Sequence, residues 1–287
     1  MEWGNAKKFV IVLLVLLNIV LAGLNYRQNQ ENTMTAAQER AIFEVLSQNG
    51  ITMYTDLLTD HTPMSRLAVE IPSYSKETLE RLFFGSEKTT VTAKGEQTIY
   101  RGKEALLTLQ GGYGYWTNET IGDGKGSLSK TEAQRMAEKF IDGTEHFFGT
   151  YDEPVVTEEE KGFRVDFYGV YKRENVFSNY FSFLVTQDGI KEIEFNYCPV
   201  KGYSGEKQDI SYSDEALLTF MREWKKGEKE GEATIHRIEL GYDQMENSTA
   251  ATGMATISLE PCYRIYLMDE AEPYLINAYT CQIVKKN

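Results

Sequence analysis

Ser127-x-x-Lys130 matches the serine–lysine nucleophile pattern of penicillin-binding enzymes, whose amine sits beside the attacking hydroxyl. The companion S-D-N and K-T-G triplets are missing, and Ser127 adjoins Ser129-x-x-Glu132, a helix-capping pattern, so a structural serine is the better reading. The three histidines, His61, His146 and His236, stand alone, outside any H-E-x-x-H or His-x-His spacing, and give metal ligation no local support. Gly122, Gly124 and Gly126 do not lead from a strand into a phosphate-cradling loop and read as a linker. Paired carboxylates are too common among 43 acidic residues for any pair to stand out. No catalytic residue, metal or cofactor is expected, and the chain reads as a non-enzyme.

Cysteine spacing offers one pair. If 255–268 and 274–284 form a hairpin around 270–273, Cys262 and Cys281 face one another, in the register that also pairs Leu267 with Ile276 and Ile265 with Ala278. Directly opposite residues lie about 4.5–5.5 Å apart, within reach of a disulfide that would leave Cys198 free. Three small, half-buried thiols are the equal alternative. The 18 Tyr and 14 Phe suit half-buried sheets, and Tyr113, Tyr115 and Trp116 form a candidate protein-binding patch. Asn-x-Thr sequons at Asn118 and Asn247 carry little weight.

What must hold these residues begins with the N-terminus. Phe9–Leu24 is apolar apart from Asn18, and Trp3 to Tyr26 would span roughly 36 Å as a helix, enough for a bilayer. Lys7 and Lys8 before the run keep residues 1–8 cytoplasmic, make 9–26 a transmembrane anchor and place the remainder outside the cell. The competing reading is a signal peptide cut after Ala22. A net charge of −13 over 287 residues excludes nucleic acid as a natural partner and leaves membrane attachment to the single helix.

Beyond a polar stalk, Thr35-x-x-Gln38 caps a helix to about Gln48 that Gly50 ends. Strands are expected at 51–58 and 66–71, a helix over 76–84, then short strands to 117. The Gly-rich segment 118–128 divides a first lobe, 27–117, from a second, 129–287. The second opens with a helix to about Phe148, followed by a hairpin turning at Asp188-Gly189. In its return strand Glu192, Glu194 and Asn196 alternate with Ile193, Phe195 and Tyr197, giving one wet face and one buried face. Ser213 would cap another helix, and strands at 232–241, 255–268 and 274–284 complete two helix-plus-three-strand units. The fold class is α+β: an N-terminal transmembrane helix followed by a two-lobed ectodomain of helices packed on antiparallel sheets.

The opening Met1-Glu2-Trp3, one membrane helix, a Tyr-rich α+β ectodomain and the closing Tyr274-Leu275-Ile276-Asn277-Ala278-Tyr279-Thr280 together resemble the YycI (WalI) family. That pattern usually continues with Gly, where this chain has Cys281. The resemblance implies a regulator of the YycG (WalK) two-component sensor kinase, which controls cell-wall metabolism in low-GC Gram-positive bacteria. It implies a two-lobed ectodomain like the carboxy-terminal domains of the companion protein YycH, and a complex with YycH and the kinase in which membrane helices restrain the kinase. Asn18 is the physical handle here, because a side-chain amide in an apolar helix is favoured at helix–helix contacts by about 0.6–2 kcal/mol. The alternative function is a secreted or anchored inhibitor or chaperone, since helix-plus-antiparallel-sheet repeats also resemble PepSY-type modules.

Overall fold

A computed structural model describes residues 10–23, 34–59, 61–227, 231–245, 256–268, 270 and 272–284. The segment 1–8 expected to be cytoplasmic, the ends of the expected anchor at 9 and 24–26, most of the expected stalk and Asn247 lie outside the described residues. In chain order the elements are α1 (10–23), α2 (Ala36–Gln48), β1 (Ile51–Met53), β2 (Met64–Glu70) and α3 (Lys76–Phe84). Next come β3 (Thr90–Lys94), β4 (Gln97–Arg101), β5 (Ala105–Gln110), β6 (Tyr113–Asn118), α4 (Lys130–Asp142) and α5 (Glu145–Phe148). Then follow β7 (Thr150–Tyr151), β8 (Val155–Glu159), β9 (Gly162–Tyr171), β10 (Glu174–Thr186), β11 (Gly189–Asn196) and β12 (Val200–Gln208). The chain closes with α6 (Ser213–Lys226), β13 (Ala233–Asp243), β14 (Thr256–Leu267), β15 (Tyr274–Asn277) and β16 (Ile283–Val284).

Two compact units result. One comprises Met1–Met64, Gln208–Glu239 and Ile265–Ile283; the other comprises Ser65–Lys207, Leu240–Arg264 and Val284–Asn287. Residues 65–117 and 129–207 share a unit because β6 pairs with β11, from Tyr113↔Asn196 to Thr117↔Glu192, across the Gly-rich segment. The units therefore divide at different points from lobes 27–117 and 129–287, and the glycines of 118–128 mark a connection within one unit. The fold is α+β on a large mixed sheet, whereas antiparallel sheets were expected. Its parallel pairs include β1 with β13 and β10 with β13, each joining strands far apart in sequence.

In the first unit, Thr35 and Gln38 make the reciprocal capping box, and α2 buries Ile42 and Leu46. α6 buries Ala216, Leu217 and Phe220, with the Phe220 ring 4.8 Å from that of Tyr274. Its N-cap is Tyr212, not Ser213. Tyr212 holds the extended backbone of the cap, φ −69° and ψ 155°, while Ser213 is already the first helical residue and donates its hydroxyl to the Leu58 carbonyl at 2.7 Å.

In the second unit, β8-β9-β10-β11-β6-β5-β4-β3 form a continuous antiparallel run, and α4 packs against β8–β11. Ser129 and Glu132 close the second capping box. The helix expected to reach Phe148 stops at Asp142: Gly143 follows, and Thr144 turns its hydroxyl back to the Ile141 carbonyl at 2.8 Å before α5 begins. Six strands, β7–β12, follow α4 and α5 where three were expected, because the two-residue β7 pairs with β9 and the segments 155–159 and 200–208 pair as outer strands.

The core of this unit is aromatic. Phe195 stacks on Phe181 at 5.0 Å and on Phe83 at 5.3 Å, while Phe148 meets Phe195 edge-on at 5.5 Å. Such pairs add about 0.5–1.5 kcal/mol each beyond area burial. Gly114 makes room for this stack: an added Cβ would lie 2.2 Å from the Phe195 ring.

Candidate functional site

α1 has every residue exposed, Leu13 to 61% and Ile19 to 64%, and Asn18 lies within it. Among the described residues no helix is long and apolar enough to cross a membrane; α1 is described over 10–23, roughly 21 Å of rise, and Ala22 falls inside it. A helix apolar on every side gains nothing from water and calls for lipid or other helices around it.

The residues of candidate chemistry stay apart from one another. Ser127 lies in an exposed turn and Lys130 on the exposed first turn of α4, with no hydrogen bond between them. His61 is buried with its ring 4.2 Å from that of Tyr212, His146 is exposed in α5, and His236 is largely exposed on β13, where partial desolvation and the neighbouring Arg237 lower its pKa. Among the described residues no group of three or more His, Cys, Asp or Glu is placed to hold a metal. All three cysteines are free thiols in the structure.

The closing motif builds a turn. The Asn277 side-chain oxygen accepts from the amides of Tyr279 at 2.9 Å and Thr280 at 3.0 Å, and the Tyr279 hydroxyl donates to the Met64 carbonyl at 3.0 Å. Cys281 then adopts φ 53°, and its amide donates to the Asn277 carbonyl at 2.9 Å. That left-handed conformation is why glycine suits the position. Cys281 therefore leaves the strand, and its sulfur lies 3.4 Å from the Thr219 hydroxyl of α6. The long hairpin arm expected over 274–284 is instead β15, this turn and β16.

A surface that the local sequence does not reveal lies on the second unit. Alternation divides the Tyr113–Trp116 cluster: Trp116 is 9% exposed in the core, whereas Tyr113 is 39% exposed and Tyr115 half-buried on the opposite face. Strand register aligns this second face in rows. Tyr168, Tyr180, Asn196 and Tyr113 form one; Asp166, Ser182, Glu194 and Tyr115 the next; Arg164, Leu184, Glu192 and Thr117 the third. Tyr180 donates to Glu194 at 2.9 Å, and the Glu194 and Glu192 carboxylates act on the phenols of Tyr113 and Tyr115. Burial, then the adjacent carboxylates, push the pKa values of Tyr113, Tyr115 and Tyr180 upward, so these phenols stay protonated donors at neutral pH. Arg164 is held by Glu159, at 3.0 and 3.3 Å. The alternation of Glu192 and Glu194 was legible; their meeting with Tyr115 and Tyr113 depends on β6 pairing with β11, for which no local signal exists.

The model of the YycI protein family matches residues 28–279. No curated protein matches the chain. Among solved structures, an uncharacterized protein from Eubacterium rectale ATCC 33656 is similar with a TM-score of 0.54 at 11% identity, over 83% of this chain and 91% of that one. The Bacillus megaterium YpeB C-terminal domain gives a TM-score of 0.43 at 12% identity, over 75% and 97%. The first likeness shows a shared fold, and the second is too slight to carry an argument.

Proposed function

This chain belongs to the YycI family, and from that premise we propose that it modulates its sensor kinase through the membrane helix, with a YycH-like protein as companion. The family is membrane-anchored and non-enzymatic, and membership implies a regulator of the YycG (WalK) kinase. In the proposed arrangement residues 1–8 are cytoplasmic, 9–26 cross the bilayer, and the ectodomain outside binds the companion. Asn18 faces a kinase helix and biases the kinase between its states.

The observation that carries this reading is the family match over 28–279, joined to an apolar, fully exposed α1 that contains one amide side chain. In lipid that amide gains by pairing with a polar group on another helix. Replacing Asn18 with Leu keeps the helix apolar and removes the pairing. The expected result is altered expression of kinase-controlled genes at unchanged protein level. Expression indistinguishable from wild type in the Asn18→Leu strain would refute the role given to this residue.

A further inference from the structure

A strand at the edge of a sheet leaves a row of backbone N–H and C=O groups unpaired, and proteins guard such rows with prolines, charges or bulges. The second unit guards its outer strands unevenly. β12 carries Lys201 and Lys207, and Gly202 and Gly205, at φ 140° and 73°, interrupt its extended backbone. β8 follows Pro154 and ends in Glu158 and Glu159. β3 has little of this protection. Among the described residues it pairs with β4 alone, over five consecutive positions without a bulge, and every one of its residues is exposed. It contains no proline, and Lys94 at its end is its sole charge.

The register fixes which groups face out. Gly95-Glu96 is a two-residue turn closed by Lys94 and Gln97, so Lys94, Thr92 and Thr90 exchange hydrogen bonds with β4, whereas Val91 and Ala93 turn their N–H and C=O away from it. Val91 and Ala93 also lie on the core side of the sheet. The row Val91, Tyr100, Leu107, Trp116, Ile193, Phe183 runs into the buried core, yet Val91 at its end is 41% exposed. A further strand that continued this row would need small or β-branched apolar residues at two alternate positions, with their backbone groups turned toward β3.

β3 itself meets that requirement. Turned about a twofold axis through Thr92, a second copy sets its Ala93 against Val91 and its Val91 against Ala93, and the outward groups of each pair exchange, about four hydrogen bonds in all. Thr92 then meets Thr92, a favourable cross-strand pair, and Lys94 meets Thr90, so no like charges are opposed. We propose that β3 is a docking edge for a second copy of this chain, the two sheets joining by antiparallel pairing of β3 with β3. The contact is short, and it suits copies held at high local concentration better than dilute ones. This pairing is independent of the regulatory reading and stands or falls apart from it.

The test is disulfide trapping of the full chain in native membranes, with copper phenanthroline as oxidant. Directly opposed residues at the axis have Cα atoms about 4.5 Å apart, within disulfide reach, so Thr92→Cys should give a covalent dimer that peptide mapping shows to be bridged at position 92. Thr90 is also exposed on β3 but would lie roughly 14 Å from its own counterpart, so Thr90→Cys should link at least tenfold more slowly. Val91→Pro removes an outward N–H and leaves the bonds to β4 in place; combined with Thr92→Cys it should slow trapping at least tenfold. Ala93→Lys, which sets a charge on the paired edge, should do the same and serves where the proline variant fails to fold. Absence of a dimer from Thr92→Cys, equal rates for Thr92→Cys and Thr90→Cys, trapping undiminished by Ala93→Lys, or linkage of position 92 to a different protein would each overturn the pairing.

Discussion

Gly114 gives the sharpest test of how the candidate surface is held. It lies on β6 between Tyr113 and Tyr115, and faces the core where those two face outward. Alanine there would put a Cβ 2.2, 2.4 and 2.8 Å from three atoms of the Phe195 ring. The ring has nowhere to retreat, since it is stacked between Phe181 at 5.0 Å and Phe83 at 5.3 Å and is fully buried. Overpacking a core costs about 1–3 kcal/mol, and a ring fixed on both sides puts Gly114→Ala near the upper end. About 3 kcal/mol is roughly a hundredfold in the unfolding equilibrium. Phe195→Leu removes the ring and its stacking, and costs about 2 kcal/mol alone. If the clash is the cause, the double variant should be little worse than Phe195→Leu, so the double-mutant cycle should show nearly the whole cost of Gly114→Ala, about 3 kcal/mol, as coupling. Urea unfolding followed by tryptophan fluorescence, to which Trp116 in the same core contributes, reads all four proteins. Additive costs within about 0.5 kcal/mol would refute the claim that Gly114 exists to seat Phe195.

Three further outcomes follow from single positions. Cys281→Gly should stabilise the first unit by about 0.5–1 kcal/mol in thermal unfolding, because φ 53° strains a side chain by about 1–2 kcal/mol and glycine's greater freedom when unfolded returns part of that gain; destabilisation would contradict it. Thiol titration of the denatured protein should find three thiols, and in the native protein Cys281 should react first, since Cys198 and Cys262 are buried and burial pushes the Cys198 thiol up to about 11. A single titratable thiol, identified as Cys198 by peptide mapping, would instead establish the Cys262–Cys281 bond. Glu80 accepts from the Thr89 amide at 2.7 Å and the Thr89 hydroxyl at 3.0 Å and lies 3.3 Å from Lys88, which hold its carboxyl down at about 2 against 4.5 when unconstrained. A depressed folded-state pKa means that its stabilisation is fully present above about 4.5 and is lost as pH falls through about 2; the stability gap between wild type and Glu80→Gln should narrow over that window, and a gap independent of pH would contradict the assignment.

Local chemistry was readable in the sequence and distant pairing was not. The capping boxes at Thr35 and Ser129 and the Asp188-Gly189 hairpin rest on residues within a few positions of one another, and the structure has them in place. Ser213 misled because the helix starts one residue earlier than expected, with Tyr212 at the cap and Ser213 in the first turn, where its hydroxyl donates to the carbonyl of Leu58, 155 residues away. Val155–Glu159 and Val200–Gln208 lack an apolar repeat, because outer strands bury little, so their strand character comes from pairing alone. The division at 118–128 misled for a related reason: glycines mark where a chain is free to turn, whereas a unit is defined by which strands bond. The surface of Tyr113, Tyr115, Tyr180, Glu192 and Glu194 needs three segments brought together by register, so only its Glu192–Glu194 alternation could be seen in advance.

Action through the membrane helix is open to a direct test by a photo-crosslinking residue at position 18 in native membranes, with the adducts identified by mass spectrometry. An adduct with the sensor kinase or a YycH-like protein is expected. Retention of the helix in the mature protein with adducts to neither, or loss of the helix by cleavage after Ala22, would contradict it.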